Sequence, residues 1–327
     1  MEKIELDSLD LEILSELDLN CRVSSVELAT RLKRSRQTVD YRISRLEEWR
    51  VLENFHTTIN YSRIGFRKYK IFLRMRNLPE RKAELHEYLF RLGSVYWVGQ
   101  ASGTWDLLVG LFYRGEEELA AVSNELVSSF HDLIVARNGQ LIVSIEQFPK
   151  NYFTGKVRTP RELLGPVQKD DLDTLDYQIL AELVKDARIS LVRLSETINL
   201  SLVAIQRRMK RLEDAGIIVQ YRIGVNLDKL GLKLYKVIFD LWSYSEKDHK
   251  SFFDYISTRP EIQYFVRNIW SVELEVIVAT YDQVQQLVDE IRMRFPRLST
   301  SVDTLLLETD EWTPALTNVL KTSGAPA

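Results

Sequence analysis

Residues 28–46 read LATRLKRSRQTVDYRISRL, and the reading of this stretch decides the rest. Leu28 and Leu32 form one apolar set and Val39, Ile43 and Leu46 a second, with Lys33, Arg34 and Ser35 between them. Spacings of three and four place each set on one face of its own helix, and Ser35 is a good N-cap for the second. Two short helices meeting at a tight polar turn is the helix-turn-helix pattern. With Val39, Ile43 and Leu46 turned inward, a rotation of about 100° per residue carries Gln37, Asp40, Tyr41 and Ser44 to the opposite face. Arg36, Arg42 and Arg45 lie beside them. Polar side chains for base edges with arginines placed for phosphates are what a helix needs in a major groove. Alone, the stretch suits a solvated basic face on an ordinary helical hairpin equally well.

The whole chain narrows the choice. At 327 residues it is long enough for two or more domains, and 45% hydrophobic with 28% charged residues is an ordinary soluble composition. A formal net charge of -3 excludes a uniformly basic coat, so nucleic-acid binding must come from local patches. Cys21 is the only cysteine, which excludes an intrachain disulfide and a Cys-based zinc site and fits a reducing cytoplasm. Its place near the end of the first helix suits packing. The start, Met1 to Leu6, lacks the layout of a secretory signal, and no apolar run approaches the ~20 residues of a membrane span. A cytoplasmic protein is expected. His56, His86, His131 and His249 are the only histidines and lie far apart in sequence. With no metal-ligand spacing, phosphate-cradling glycine loop or nucleophile motif, no catalytic residue, metal or cofactor is expected.

Taken in order, Leu6 to Leu17 is an amphipathic helix with Asp7 and Asp10 at its positive end. Ser24 caps the next helix, with Glu27 completing a capping box. Phe55 to Ile59 alternates as a β-wing would, and Gly65 ends the exit turn. Strands are expected at Tyr69–Met75, 95–102, 105–113 and 140–147, with helices at 79–92 and 116–130. The order βαββαβ is the ferredoxin-like plan. Residues 149–171 hold Pro149, Gly155, Pro160, Gly165 and Pro166 without an apolar period, which reads as a linker.

The pattern then restarts. Leu175, Asp176, Ile179, Leu180 and Leu183 repeat Leu9, Asp10, Ile13, Leu14 and Leu17 at an offset of 166. At the same offset Ser201, Ile205, Arg208, Met209, Arg211 and Leu212 fall on Ser35, Val39, Arg42, Ile43, Arg45 and Leu46. The register continues through Gly65/Gly231 and Lys70/Lys236. A register this long marks a duplicated two-domain unit. The fold class is therefore α+β, two tandem copies of a winged helix-turn-helix followed by a ferredoxin-like βαββαβ domain. The expected boundaries are 1–60 and 61–148, a linker at 149–171, then 172–226 and 227–313, with a flexible tail at 314–327.

This arrangement resembles the Lrp/AsnC (leucine-responsive/asparagine regulator) family of transcription factors, over nearly the whole chain and twice. The resemblance rests on Leu9-Asp10 with Ile13-Leu14, Ser35 through Leu46-Glu47, and Gly103-Thr104-Trp105-Asp106, and in the second copy on Leu175-Asp176 with Ile179-Leu180, Ser201 through Leu212-Glu213, and Ala215 through Ile218. It implies a regulator that binds double-stranded DNA, self-associates through its sheet domains, and takes an amino acid or similar effector near Gly99, Gly103, Thr104 and Asp106. With two units in one chain, the halves are expected to pair as an intrachain pseudo-dimer or with another copy.

The copies differ. In the second reading helix the outward residues are Val203, Gln206, Arg207 and Lys210, and Leu202 replaces Arg36. Trp49-Arg50 stands where the second copy has Ala215-Gly216. Counting onward, Val266, Trp270, Ser271 and Glu273 fall on the four effector positions, so only the first copy keeps the glycines that let a tight loop approach a ligand. The same pair of folds resembles the sirohaem decarboxylases, which makes a tetrapyrrole enzyme the rival class. The basic residues of both reading helices, Arg36, Arg42, Arg45, Arg207, Arg208, Lys210 and Arg211, favour DNA over that alternative. A third class is a regulator whose second half is a protein-interaction module.

Overall fold

The structure is a computed structural model and describes residues 3–323. Each half begins with three helices, α1 (Ser8–Leu19), α2 (Ser25–Leu32) and α3 (Arg36–Glu48) in the first. Asp7 and Asp10 form a reciprocal capping box at α1, while at α2 only the Ser24 half of the expected box is made. Lys33 takes a left-handed conformation that ends α2, and Ser35 accepts from the Thr38 amide to start α3. Val39, Ile43 and Leu46 are buried, as their spacing requires. Arg50 adopts the left-handed conformation of Gly216 in the other copy, so both reading helices end in the same turn despite the change of residue.

The strand after each reading helix has no partner in its own half. β1 (Leu52–Ile59) pairs antiparallel with its counterpart β7 (Ile218–Val225). The expected local wing is thus one strand per copy, completed by the other copy. Between them run β2 (Arg67–Met75), α4 (Pro79–Arg91), β3 (Val95–Ser102), β4 (Leu107–Tyr113), α5 (Glu116–Ser129), β5 (Ile134–Gln147), β6 (Arg161–Leu164) and the second trio α6 (Thr174–Lys185), α7 (Leu191–Ile198) and α8 (Leu202–Asp214). After β7 come β8 (Lys233–Leu241), α9 (Glu246–Ile256), β9 (Ile262–Asn268), β10 (Ser271–Val278), α10 (Tyr281–Arg294), β11 (Ser299–Leu307), β12 (Glu311–Trp312) and α11 (Ala315–Ser323).

The first sheet is ordered β5-β2-β4-β3 and the second β11-β8-β10-β9, the same order twice. β5 pairs with β9 and β11 with β3, so the eight strands close into a ring. Alternate residues settle the two faces. Ile71, Leu73, Val109 and Leu111 pack under α4 and α5, and Val237, Phe239, Leu274 and Val276 under α9 and α10. The opposite faces meet inside the ring.

Three expectations change. β5 begins at Ile134 rather than Gln140; Arg137-Asn138-Gly139 looks like a turn, but a side chain at Gly139 would collide with the Tyr69 phenol across the ladder. The proline-rich connection is ordered where Leu163 and Leu164 bury β6 against β5. The expected tail at 314–327 is α11 as far as Ser323, because Ala315, Val319 and Leu320 bury one face against α6 and β3; residues 324–327 lie outside the described residues.

The interior of the ring is charged and asymmetric. Lys70 and Lys236 occupy equivalent inward positions, yet Glu273 and Glu275 both come from the second sheet, where the first has Leu108 and Gly110. Lys70 therefore crosses to Glu273 at 2.5 Å, and Lys236 meets Glu273 at 3.1 Å and Glu275 at 2.6 Å. Burial works to raise the Glu273 carboxyl, but the two ammonium groups outweigh it and hold it well below the usual range. Among the described residues Lys68 makes no ion pair. Its ammonium lies 4.6 Å from the Tyr96 ring centroid, with Phe112 and Tyr61 close by.

Burial first, and Lys70 second, push the Lys68 amine down to about 7. The unfolded chain then binds more protons between pH 7 and the ordinary lysine value of about 10.5, so stability rises with pH across that window, while the cost of charging Lys68 is fully present below it. Lys68→Met removes the charge that must be buried. The variant gains stability over wild type near neutral pH, and the gain shrinks as pH approaches 10.5 in urea titrations.

Candidate nucleic-acid interface

The reading faces form from the residues the spacing selects. On α3, Arg36, Gln37, Tyr41 and Ser44 are exposed, Tyr41 by 61%, and Asp40 is half-buried. Arg36 donates to Asp40 at 3.2 Å within the helix. On α8, Gln206, Arg207, Lys210 and Arg211 are exposed together with Leu202 and Val203. Lys210 pairs with Asp214 at 2.7 Å, while among the described residues Arg207 makes no ion pair.

Arg42 and Arg45 face partly inward. Arg42 donates to Asp7 at 2.6 Å and Asp10 at 3.0 Å, and Arg45 to Asp10 at 2.8 Å. Asp10 is 1% exposed. In the second half Arg208 repeats the contacts to Asp173 and Asp176, both at 2.8 Å, and Arg211 meets the buried Asp176. The hydrogen bond to Asp7, set against a smaller burial cost, raises the Arg42 guanidinium further. The sequence reading gave these arginines to phosphates alone; the structure ties each reading helix through them to the start of the first helix, because a buried carboxylate needs a charged partner. Both aspartates were visible only as helix-start residues. The signal for the clamp was their recurrence, with both arginines, at one offset.

A second set of residues fixes how the two motifs sit. α1 packs on β7 and α6 on β1, each first helix on the other half's strand. Arg22 donates to the Ala187 carbonyl and to the Ile189 carbonyl at 3.0 Å, and Arg188 to the Cys21 carbonyl at 2.8 Å. Arg22 lies over the Tyr221 ring and Arg188 over Phe55. The Cys21 amide donates to Tyr221 and the Ala187 amide to Phe55. Apart from the Arg22 bond to Ile189, each of these is paired with its equivalent at the offset of 166, the contact pattern of a two-fold interface. Burial pushes the Cys21 thiol up to about 12, consistent with packing. One contact breaks the symmetry. Buried Arg222 grips buried Asp18 at 2.9 and 2.6 Å, where the equivalent positions are His56 and Val184. Burial, then Lys150 and Arg222, hold the His56 ring down to about 3, so it is neutral.

The proposed effector residues converge on one hairpin. Gly103 has φ +143, and a side chain there would meet Leu305 of β11 at 2.7 Å. Thr104 donates to Asp303 at 3.0 Å, Asp106 accepts from the Met75 amide at 2.6 Å, and the Trp97 ring covers Gly99. The free face of the turn is therefore taken by the second half. The strand register also corrects the counterparts. Gly99 faces Leu108 as Val266 faces Glu273, so Glu273 matches Leu108 rather than Asp106, and the β9–β10 hairpin is two residues shorter. Clefts of about 590 Å³ and 280 Å³ open elsewhere, the first lined by Glu12, Glu16, Arg31, Lys33 and Arg158, the second by Arg292, Phe295 and Ser299. The four histidines sit on separate elements with different partners. His86 approaches Glu311, His249 meets Tyr244, His131 donates to the Ser128 carbonyl in its own turn, and His56 meets Asn54.

The family model described as winged helix-turn-helix DNA-binding matches residues 6–48 and again 172–219. The HTH-type transcriptional regulator LrpC of Bacillus subtilis is 30% identical over 139 residues, which is 94% of that protein and 42% of this chain. The chain belongs to the Lrp/AsnC family. The DNA-binding transcriptional activator DecR of Escherichia coli is 28% identical over 148 residues, 97% of its length and 44% of this one. Each of these relatives thus spans less than half of this Lrp/AsnC chain, as one of two units would. A crystal structure of the siroheme decarboxylase NirDL matches 97% of this chain and 98% of its own with a TM-score of 0.63 and 10% identity, which is a likeness of fold. Among the described residues no helix is long and apolar enough to cross a membrane.

Because Asp10 serves two arginines of α3, Asp10→Ala strips several charge-assisted hydrogen bonds at once. It lowers stability by about 2 to 3 kcal/mol in chemical denaturation and releases hydrogen-exchange protection in α1 and α3 before α6 and α8. Asp176→Ala reverses that order.

Proposed function

We propose that the chain is a sequence-specific DNA-binding transcription regulator in which one polypeptide supplies both members of a two-fold reading pair. The observation that carries this is the exposed polar face of each reading helix together with the two-fold exchange at Arg22 and Arg188, which fixes the motifs to one β1–β7 ribbon. Paired reading helices match pseudo-palindromic half-sites on one face of a duplex. Gln37, Tyr41, Ser44 and Gln206 are placed for base edges, with Asp40 suited to a cytosine amino group. Arg36, Arg207, Lys210 and Arg211 are placed for phosphates. Self-association through further copies is not required for a full site on this reading. The tetrapyrrole alternative rests on likeness of fold alone, and the histidines are not brought together.

Effector control by an amino acid at Gly99, Gly103, Thr104 and Asp106 requires the seam between β3 and β11 to open, since Leu305 stands against Gly103. Opening that seam would loosen the ring that joins the halves, which gives the effector a route to the reading pair.

Fluorescence anisotropy on a duplex chosen by selection from random DNA tests the main reading. Affinity falls steeply with salt, and Arg207→Ala reduces the slope by about one. Gln37→Ala or Tyr41→Ala costs roughly 1 to 3 kcal/mol and shifts base preference. Salt-independent affinity, or variants that bind as wild type does, defeats the reading. For the effector, calorimetry with an amino-acid panel finds tighter binding to Leu305→Ala than to wild type; equal affinity in the two removes the turn as the site.

A further inference from the structure

The second reading helix begins with two exposed apolar side chains that its own fold does not use. Leu202 is 43% and Val203 73% exposed, while Ile205, Met209 and Leu212 complete the buried face without them. Ser201 caps the helix through the Ala204 amide, so the first turn is fixed rather than frayed. Their equivalents in the first half are Arg36 and Gln37, at the N-terminal end that a reading helix points at base edges. Val203 shares its face with Gln206, Arg207 and Lys210, one turn and two turns on. The equivalent of Gln206 is Asp40, so the second face has lost an acid and gained no acid in return.

We infer that Leu202 and Val203 read the C5-methyl groups of thymines in one half-site, so that the chain recognises an asymmetric operator in a single orientation. This rests on the DNA-binding reading above. A cationic face with an apolar head is complementary to a groove flanked by phosphates, and the one apolar feature a base pair offers there is the thymine methyl. A basic protein partner would be repelled by Arg207 and Lys210. An apolar one would leave the Arg207 charge and Gln206 facing it unpaired. The first helix, with Gln37, Asp40 and Tyr41, presents hydrogen-bonding groups at the same place and selects a different base sequence. A symmetric homodimer with two identical helices reads the same half-site twice and has no preferred direction. Here the halves differ and are joined by the closed ring of strands and the β1–β7 ribbon, so the two half-sites are distinguished within one complex.

Selection from random duplex DNA with the full chain gives the operator, and replacing thymine by deoxyuridine in each half-site then removes methyl groups without altering base pairing. The expected result is a loss of roughly fourfold for each methyl that is covered, the size of one buried carbon. The loss is confined to one half-site. Gln37→Ala alters the preferred sequence of the opposite half. The double variant Leu202→Arg, Val203→Gln restores the first-half residues on an exposed surface; its circular dichroism melt matches wild type, its sensitivity to deoxyuridine disappears, and its selected operator becomes more symmetric. Selection of a defined operator with no deoxyuridine effect, or an equal effect in both halves, overturns this inference and leaves the DNA-binding reading intact. Failure to select any sequence overturns both.

Discussion

A four-stranded sheet in which the second and fourth strands lie at the borders leaves two rows of backbone donors and acceptors without partners, and an open edge invites association with another chain. Here each open edge is closed by the other half, β5 on β9 and β11 on β3, and the orphan strands β1 and β7 close on each other in the same way. The two seams are unequal. β5 meets β9 over five residue pairs, while β11 meets β3 over two, with β12 adding two more beside them. The weaker seam is the one that holds the Gly103 turn, so the hairpin with the most permissive backbone lies where the ring has least to hold it shut.

Fusion of two units also frees each from having to match itself. In a symmetric dimer any residue at the interface meets its own copy or must suit both places. The Arg22 and Arg188 contacts still obey that rule, since each arginine finds a carbonyl and a ring in the other half. Elsewhere the rule is abandoned. Asp18 faces Arg222 where the equivalent pair is Val184 and His56, and both acids of the inner charge cluster come from one sheet. Glu273 serves Lys70 and Lys236 together while Glu275 serves Lys236 alone, a pattern that two identical sheets could not make. Buried ion pairs bring little net stability but are costly to break. They therefore discriminate strongly against any arrangement of the halves that would leave Arg222 or Glu273 alone.

The periodic parts of this design were legible in the sequence because local spacing determines them. Helix caps at Ser35 and Ser201, the buried sets on α3 and α8, and the strand and helix order of both sheets followed from periods of 3.6 and 2 and from an offset of 166 that needs no structure to see. The illegible parts are contacts between residues far apart in sequence. Strand β1 looked like half of a local wing because nothing in Phe55 to Ile59 says that its partner lies at 218–225. The shorter second hairpin was hidden as well: a constant count placed Glu273 on Asp106, and only the ladder shows two residues missing. The first six residues of β5 were missed because Gly139 answers to the Tyr69 ring on another strand. α11 was missed for a different reason, since nine residues with three buried positions give too short a period to stand out from a tail.

The clamp at Asp10 and Asp176 alters how the net charge of the chain bears on its reading of DNA. A helix-turn-helix with four arginines turned outward would bind any duplex through phosphates and discriminate poorly, because the phosphate term carries no sequence information. Here Arg42 and Arg208 are about four-fifths buried and spend their charge on carboxylates of the same motif, and Arg36 shares its own with Asp40. Among the described residues Lys33, Arg34 and Arg207 are exposed and make no ion pair, so the cations left over form local patches on a chain of overall charge -3. On the proposed reading, the arginines held by carboxylates add little to the phosphate attraction, and contacts at base edges and thymine methyls decide where on the duplex the protein rests. The same carboxylates hold each reading helix at a fixed angle to the helix that packs on the opposite half's strand. Precision of placement and restraint of non-specific binding thus come from one set of buried aspartates.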